Sequence, residues 1–157
     1  HIADLVRWFS GKKITEVFAT IQTLEKKVPV DDNATVLLRF EDGCKGEFEC
    51  AWTTRPYEVL TYIYGENGKM TTALGRVHPV ILTLAKVGKG EDPNHTLEES
   101  YPAIGPGSGW ENAVHYFIDC VQKNEKPFLT GEEGRETIKV ALAAYESNKK
   151  GKWVKVS

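Results

Sequence analysis

Residues 34–52, ATVLLRFEDGCKGEFECAW, decide the fold. Residues 34 to 40 are rich in β-branched and aromatic types, which suit a pleated, half-buried surface. Glu41-Asp42-Gly43 then supplies a turn signal. After it, Phe48, Cys50 and Trp52 alternate with Glu47, Glu49 and Ala51, a period of two that gives the returning strand one apolar and one wet face. The segment therefore predicts a hairpin, and hence antiparallel neighbours.

Outward from the hairpin, residues 14–24, ITEVFATIQTL, have the same strand composition. Ahead of them Ile2, Leu5, Val6 and Phe9 fall at i, i+3, i+4 and i+7, which predicts a short amphipathic helix that Gly11 can end. Downstream, residues 57–64, YEVLTYIY, carry apolar groups on both faces and predict a more buried strand. Glu66-Asn67-Gly68 turns it into a second hairpin through residues 69–72, and residues 80–87 predict a further strand. Residues 88–109 collect Gly, Pro and charges without periodicity, and so predict a long loop of the kind that carries function or an interface.

Two helices follow. Ser108-x-x-Glu111 and Thr130-x-x-Glu133 both match the capping box, in which a hydroxyl and a carboxylate satisfy unpaired N–H groups of the first turn. Ala113, Val114, Phe117, Ile118 and Val121 form an apolar stripe on the first, and Ile138, Ala141, Leu142 and Tyr145 form one on the second. These stripes, with Phe117 and Tyr145 in them, are expected in the core. Lys149, Lys150 and Gly151 suit a helix C-terminus, and residues 152–156 predict a last short strand. The order of helix, strands, two helices and strand predicts an α+β domain: an open, mostly antiparallel sheet with helices packed on one face.

A chain of 157 residues with 41% hydrophobic content suffices for one ordinary core. Twenty Lys and Arg stand against 22 Asp and Glu, so no global field recruits nucleic acid or a membrane surface. The expected partners are small neutral molecules or other protein surfaces. Cys44, Cys50 and Cys120 lack a CxxC spacing or a His cluster, which argues against disulfides and structural zinc; all three are expected to be small buried hydrophobes in a reducing, cytoplasmic setting. No apolar run reaches the length of about 20 residues that a membrane span needs, and no signal-peptide pattern opens the chain. The chain starts at His1 within an amphipathic pattern and without Met, so its natural N-terminus is expected to lie upstream.

The sequence holds neither GxGxxG nor GxxxxGK[ST]; Gly105-x-Gly107-x-Gly109 lacks a preceding strand and the right spacing. The chain therefore holds no dinucleotide by that route. His1, with Asp4 three residues on, can exchange protons near neutral pH as a general base for alcohol oxidation requires, although a tag remnant would leave a His at the same place. Trp52, Arg55 and Tyr57 bracket a strand end, where stacking and hydrogen-bonding groups would grip a polyol; a core Trp followed by a turn gives the same pattern. His115 lies off its helix stripe and reads as a surface or interface residue, and His78 and His95 read as solvated.

His1-x-x-Asp4-x-x-Arg7-Trp8-x-x-Gly11 resembles the HxxDxxRWxxG helix of the glucose-fructose oxidoreductase, inositol dehydrogenase and rhizopine catabolism (Gfo/Idh/MocA) family. Asp32-Asn33-Ala34 leading to Phe40-x-x-Gly43-x-x-Gly46 and Trp52, the Gly65-x-x-Gly68 turn, and the closing Thr130-Gly131-Glu132-Glu133-Gly134 and Ala144-Tyr145-Glu146-Ser147 segments are similar to its substrate domain. The resemblance spans nearly the whole chain. It implies that residues 1–157 are a C-terminal substrate-binding and oligomerisation domain whose parent carries an upstream Rossmann domain for NAD or NADP.

By that likeness the parent oxidises a sugar, inositol or related polyol, with His1 as acid/base on the reacting hydroxyl and Asp4 as a supporting residue. The family's Lys, its Asp four residues before the His, and its glycine-rich loop would all lie upstream of His1. The chain alone is accordingly expected to be inactive and to bind no cofactor or metal, while one sheet face serves a homo-oligomer. Two other readings stay open: a non-enzymatic dimerisation or protein-interaction module of the same fold, and a small carbohydrate-binding domain that works alone.

Overall fold

The structure is a computed structural model that describes residues 1–73, 79–85, 96–102 and 109–157. In chain order its elements are α1 (Ile2–Ser10), β1 (Ile14–Gln22), β2 (Asn33–Phe40), β3 (Lys45–Ala51), β4 (Leu60–Gly65), β5 (Gly68–Ala73), β6 (Val80–Ala85), β7 (Thr96–Tyr101), α2 (Gly109–Lys123), α3 (Gly131–Lys150) and β8 (Val154–Lys155). All strand pairings among the described residues are antiparallel, in two four-stranded sheets ordered β3-β2-β1-β8 and β4-β5-β6-β7. The α+β class read from the sequence holds. The chain divides into one unit of residues 1–54 with 119–157 and another of residues 55–118.

In the first unit, β1 pairs with β2 so that Val17 meets Leu38 and Ala19 meets Val36, all four buried on one face. A register shift between Ile14 and Glu16 adds one residue to β1, so Ile14 and Val17, three apart, both point inward. Helix α3 lays Val140, Ala143, Ala144 and Ser147 on that face, at i, i+3, i+4 and i+7, and α1 adds Ala3 and the partly buried Val6. The helices of this unit thus gather on one side of its sheet.

Strand β8 is too short to pair along all of β1; it covers only Glu16 and Val17. Farther along that edge, α3 takes over with side chains. The Ala19 N–H donates to Ser147 Oγ at 3.0 Å and the Ile21 N–H to Asn148 Oδ1 at 2.9 Å, while Asn148 Nδ2 donates back to the Ile21 carbonyl at 3.1 Å. Ser147 passes its own proton to the Lys152 carbonyl at 2.7 Å, so a fully buried hydroxyl is satisfied in both directions.

The helix C-termini follow the expected chemistry, while at the start of α3 the hydroxyl half of the capping box forms and the Glu133 carboxylate turns to Arg7 instead. Thr130 Oγ1 accepts from the Glu133 N–H, and Gly151 ends α3 in the left-handed region at φ 61° with its N–H on the Ser147 carbonyl. Gly11 ends α1 in the same way, at φ 63°. Ser108, the first half of the other capping box, lies outside the described residues, as do His78 and His95.

The face of α3 that is buried is not the expected one. Ile138, Leu142 and Tyr145 are exposed, because the small Ala143, Ala144 and Ser147 let the helix approach β1 closely and occupy the contact instead. On α2, Val114, Phe117, Ile118 and Val121 are likewise exposed and Cys120 alone is buried, so Phe117 and Tyr145 are not core residues in this chain. Cys44 and Cys50 are exposed, which corrects the expectation that all three thiols are buried.

In the second unit, β4 and β5 form a hairpin closed by the two-residue turn Glu66-Asn67, with Gly65 opposite Gly68. Gly68 has φ 155°, and a Cβ there would collide with the Thr83 carbonyl of β6, so the close β5–β6 pairing requires glycine. The strand expected over 57–64 starts only at Leu60 and is an edge: Leu60, Tyr62 and Tyr64 are exposed rather than buried. Within the expected loop 88–109 the structure places β7, which pairs with β6 from Val80↔Tyr101 to Ala85↔Thr96. Residues 86–95 and 103–108 lie outside the described residues.

Candidate functional site

His1 stands at the N-cap of α1, exposed, and its imidazole makes no capping hydrogen bond; its carbonyl accepts the Leu5 N–H at 3.0 Å. The ring is thus not consumed by the helix it precedes. Nine residues are too few for a stable isolated helix, so the position of α1, and with it His1, is set by what α1 docks on.

That docking has an apolar and a polar part. Ala3 and Val6 enter the core beside Val140 and Ala144. Arg7, whose side chain is only 15% exposed, forks toward α3: Nη2 donates to Glu133 Oε2 at 2.7 Å, and Nη1 donates to the Glu133 carbonyl at 3.1 Å and to Thr137 Oγ1 at 3.0 Å. Thr137 Oγ1 in turn donates to Asp4 Oδ1 at 3.0 Å, and Asp4 lies 3.7 Å from Arg7 Nη1. Asp4 therefore faces Arg7 and Thr137. The spacing Asp4-x-x-Arg7 shows the two on one side of a helix, but nothing in the sequence points to Thr137 and Glu133 as their partners, since that pairing arises only when α1 meets α3.

Beyond α1, the Lys12 ammonium pairs with Asp42 and ties the exit of the helix to the β2–β3 turn. That contact, with further hydrogen bonds from Cys44, brings the Asp42 carboxyl down to about 2. Asp32, a buried residue, accepts the N–H groups of Lys26, Leu24 and Glu25 at 2.7 to 2.9 Å, which hold its carboxyl well below the usual carboxylate range and fold the loop between β1 and β2 around it.

Trp52 belongs to the first unit and is 70% exposed, so it is not a core Trp of this chain. Arg55 and Tyr57 belong to the second unit, and Tyr57 is 84% exposed. His115 is exposed on α2, in keeping with its reading as a surface residue. Among the described residues no three His, Cys, Asp or Glu side chains gather as a metal site would, and no helix is long and apolar enough to cross a membrane.

Residues 1–71 match the GFO/IDH/MocA C-terminal domain. The chain is similar to the myo-inositol 2-dehydrogenase of Thermotoga maritima, 26% identical over 99% of this chain and 47% of that protein. It is also similar to the 1,5-anhydro-D-fructose reductase of Ensifer adhaerens, 26% identical over 94% of this chain and 42% of that protein. The fold matches an oxidoreductase domain protein from Kribbella flavida with a TM-score of 0.84 at 21% identity, covering 100% of this chain and 48% of that one. It also matches levoglucosan dehydrogenase, solved in complex with NADH and L-sorbose, with a TM-score of 0.83 at 20% identity, again over 100% of this chain and 48% of that one. The chain spans about half the length of the curated relatives it matches. Residues 1–71, which carry the His1–Gly11 helix and the β2–β3 hairpin, are thus similar to the GFO/IDH/MocA C-terminal domain, and the fold of the chain is that of about half of each solved oxidoreductase it matches.

Proposed function

We propose that the chain is the substrate-side and oligomerisation domain of an NAD(P)-dependent oxidoreductase acting on a sugar, inositol or related polyol. The observation that carries this reading is the match of 94–99% of this chain to under half of relatives named as myo-inositol 2-dehydrogenase, D-apiose dehydrogenase and 1,5-anhydro-D-fructose reductase. In this reading a preceding domain supplies the cofactor, which accords with the chain spanning about half the length of the curated relatives it matches.

In this reading His1 accepts the proton of the reacting hydroxyl. Its imidazole is exposed and not engaged in capping, and it stands on a helix anchored to the core. A nicotinamide held by the preceding domain would supply the hydride acceptor for the carbon that bears this hydroxyl. Asp4 supports His1 through the α1–α3 contact; Trp52 in the first unit, and Arg55 and Tyr57 in the second, each offer a stacking or polar group of the kind that suits a polyol. The outward face of the β3-β2-β1-β8 sheet, with Phe18, Leu37 and Trp153, whose ring lies 4.0 Å under the Arg39 guanidinium, serves self-association. The free thiols Cys44, Cys50 and Cys120 suit a reducing, cytoplasmic setting.

Replacing His1 by Ala in the parent is expected to lower kcat by roughly 100-fold to 10,000-fold, the usual contribution of a positioned acid/base, with little change in nicotinamide binding. Unchanged turnover would remove His1 from the mechanism. A second reading, an interaction module without chemistry, draws on the exposed apolar stripes of α2 and α3. It predicts a folded parent that binds no nicotinamide.

A further inference from the structure

We propose that Thr137, together with Arg7 and Glu133, is a positioning element for His1: a polar lock on α3 that fixes the rotation and height of α1. The inference rests on the reading of His1 as proton acceptor. The apolar contacts of Ala3 and Val6 draw α1 onto the core, but such contacts are non-directional and tolerate rotation and sliding of a short helix. The directional constraints are polar. Asp4 and Arg7 stand one turn apart on α1, and both meet the single hydroxyl of Thr137, which accepts from Arg7 Nη1 at 3.0 Å and donates to Asp4 Oδ1 at 3.0 Å. Two points on one side of α1 held by one atom fix its rotation. Arg7 also reaches Glu133, one turn earlier on α3, at both its carbonyl and its carboxylate, and this fixes the height of α1 along α3.

His1 heads the same short helix, so a rotation or slide of α1 is passed to its ring. Displacements of about 1 Å at a reacting group can cost about a hundredfold in rate, which is large enough for this lock to matter. The lock also gives Asp4 a mechanical role: its carboxylate is engaged by Thr137 and Arg7. A carboxylate acting on His1 by its charge would instead move the pH dependence of turnover.

The test uses the parent enzyme with its own upstream domain. Thr137→Val keeps the shape and removes the hydroxyl's contacts with Arg7 and Asp4, along with its approach to the Glu133 carbonyl within α3, and is expected to lower kcat about tenfold to a hundredfold. The KM for nicotinamide and the midpoint of the pH–kcat profile should stay in place, and Thr137→Ser should restore most of the turnover. Where Thr137→Val fails to fold by circular dichroism, Arg7→Lys, which keeps the charge but loses the fork, is expected to show the same selective loss of kcat. A folded Thr137→Val or Arg7→Lys enzyme with turnover within twofold of wild type overturns the proposal, as does a kcat loss accompanied by a displaced pH midpoint. A wild-type parent that shows no turnover with any sugar or polyol instead removes the oxidoreductase reading, and the positioning role with it.

Discussion

Ser147 shows how one side chain substitutes for a missing length of strand. Its hydroxyl is fully buried between the Ala19 N–H and the Lys152 carbonyl. Ser147→Ala leaves both backbone groups without that partner and is expected to cost about 1–3 kcal/mol, read as a lower denaturant midpoint. Asp32 makes a different contribution, one that depends on pH. Its carboxyl is depressed in the folded chain, chiefly by the Lys26 and Leu24 N–H groups, so its stabilisation is present above the unfolded value near ~4 and is lost as pH falls through the folded value. The thermal stability of the chain should therefore fall steadily below about pH 4, with Asp42 adding in the same direction. Asp32→Asn should unfold more easily at neutral pH and show a shallower acid slope; an unchanged slope would count against the carboxylate. The His1–Asp4–Arg7 spacing was legible as one helix with chemistry on it, but Thr137 was not, because α1 and α3 are distant in sequence and only tertiary packing joins them.

At the scale of elements, the hairpins were readable because a period of two and a turn residue state a strand pair locally, as in residues 34–52. Helix faces were less so. On α3 the larger Ile138, Leu142 and Tyr145 make the more obvious stripe, yet the buried stripe is the one whose small side chains permit close contact with β1. Enlarging that contact should overpack it: Ala144→Leu is expected to destabilise the chain by about 1–3 kcal/mol in denaturant unfolding, and a neutral result would show that α3 does not sit as closely as described. Strand β7 was hidden for a related reason. As the edge of its sheet it carries Glu98 and Glu99, charges that suit an edge and break the apolar alternation on which recognition depends.

For the whole molecule, the α+β class and the antiparallel pairing follow from the order of elements, while its exposed apolar surface does not. Phe117, Val121, Ile138 and Leu142 lie open on a chain about half as long as the relatives it matches. Such surface marks sites of association, and a preceding cofactor domain and a second subunit are the occupants that the proposed function supplies. The most direct test of that function is nicotinamide absorbance: the parent, with its upstream domain, mixed with NAD or NADP and a panel of sugars and polyols. The account predicts cofactor reduction with at least one of them, abolished or nearly so by His1→Ala. A folded parent that binds no nicotinamide and reduces none would contradict it.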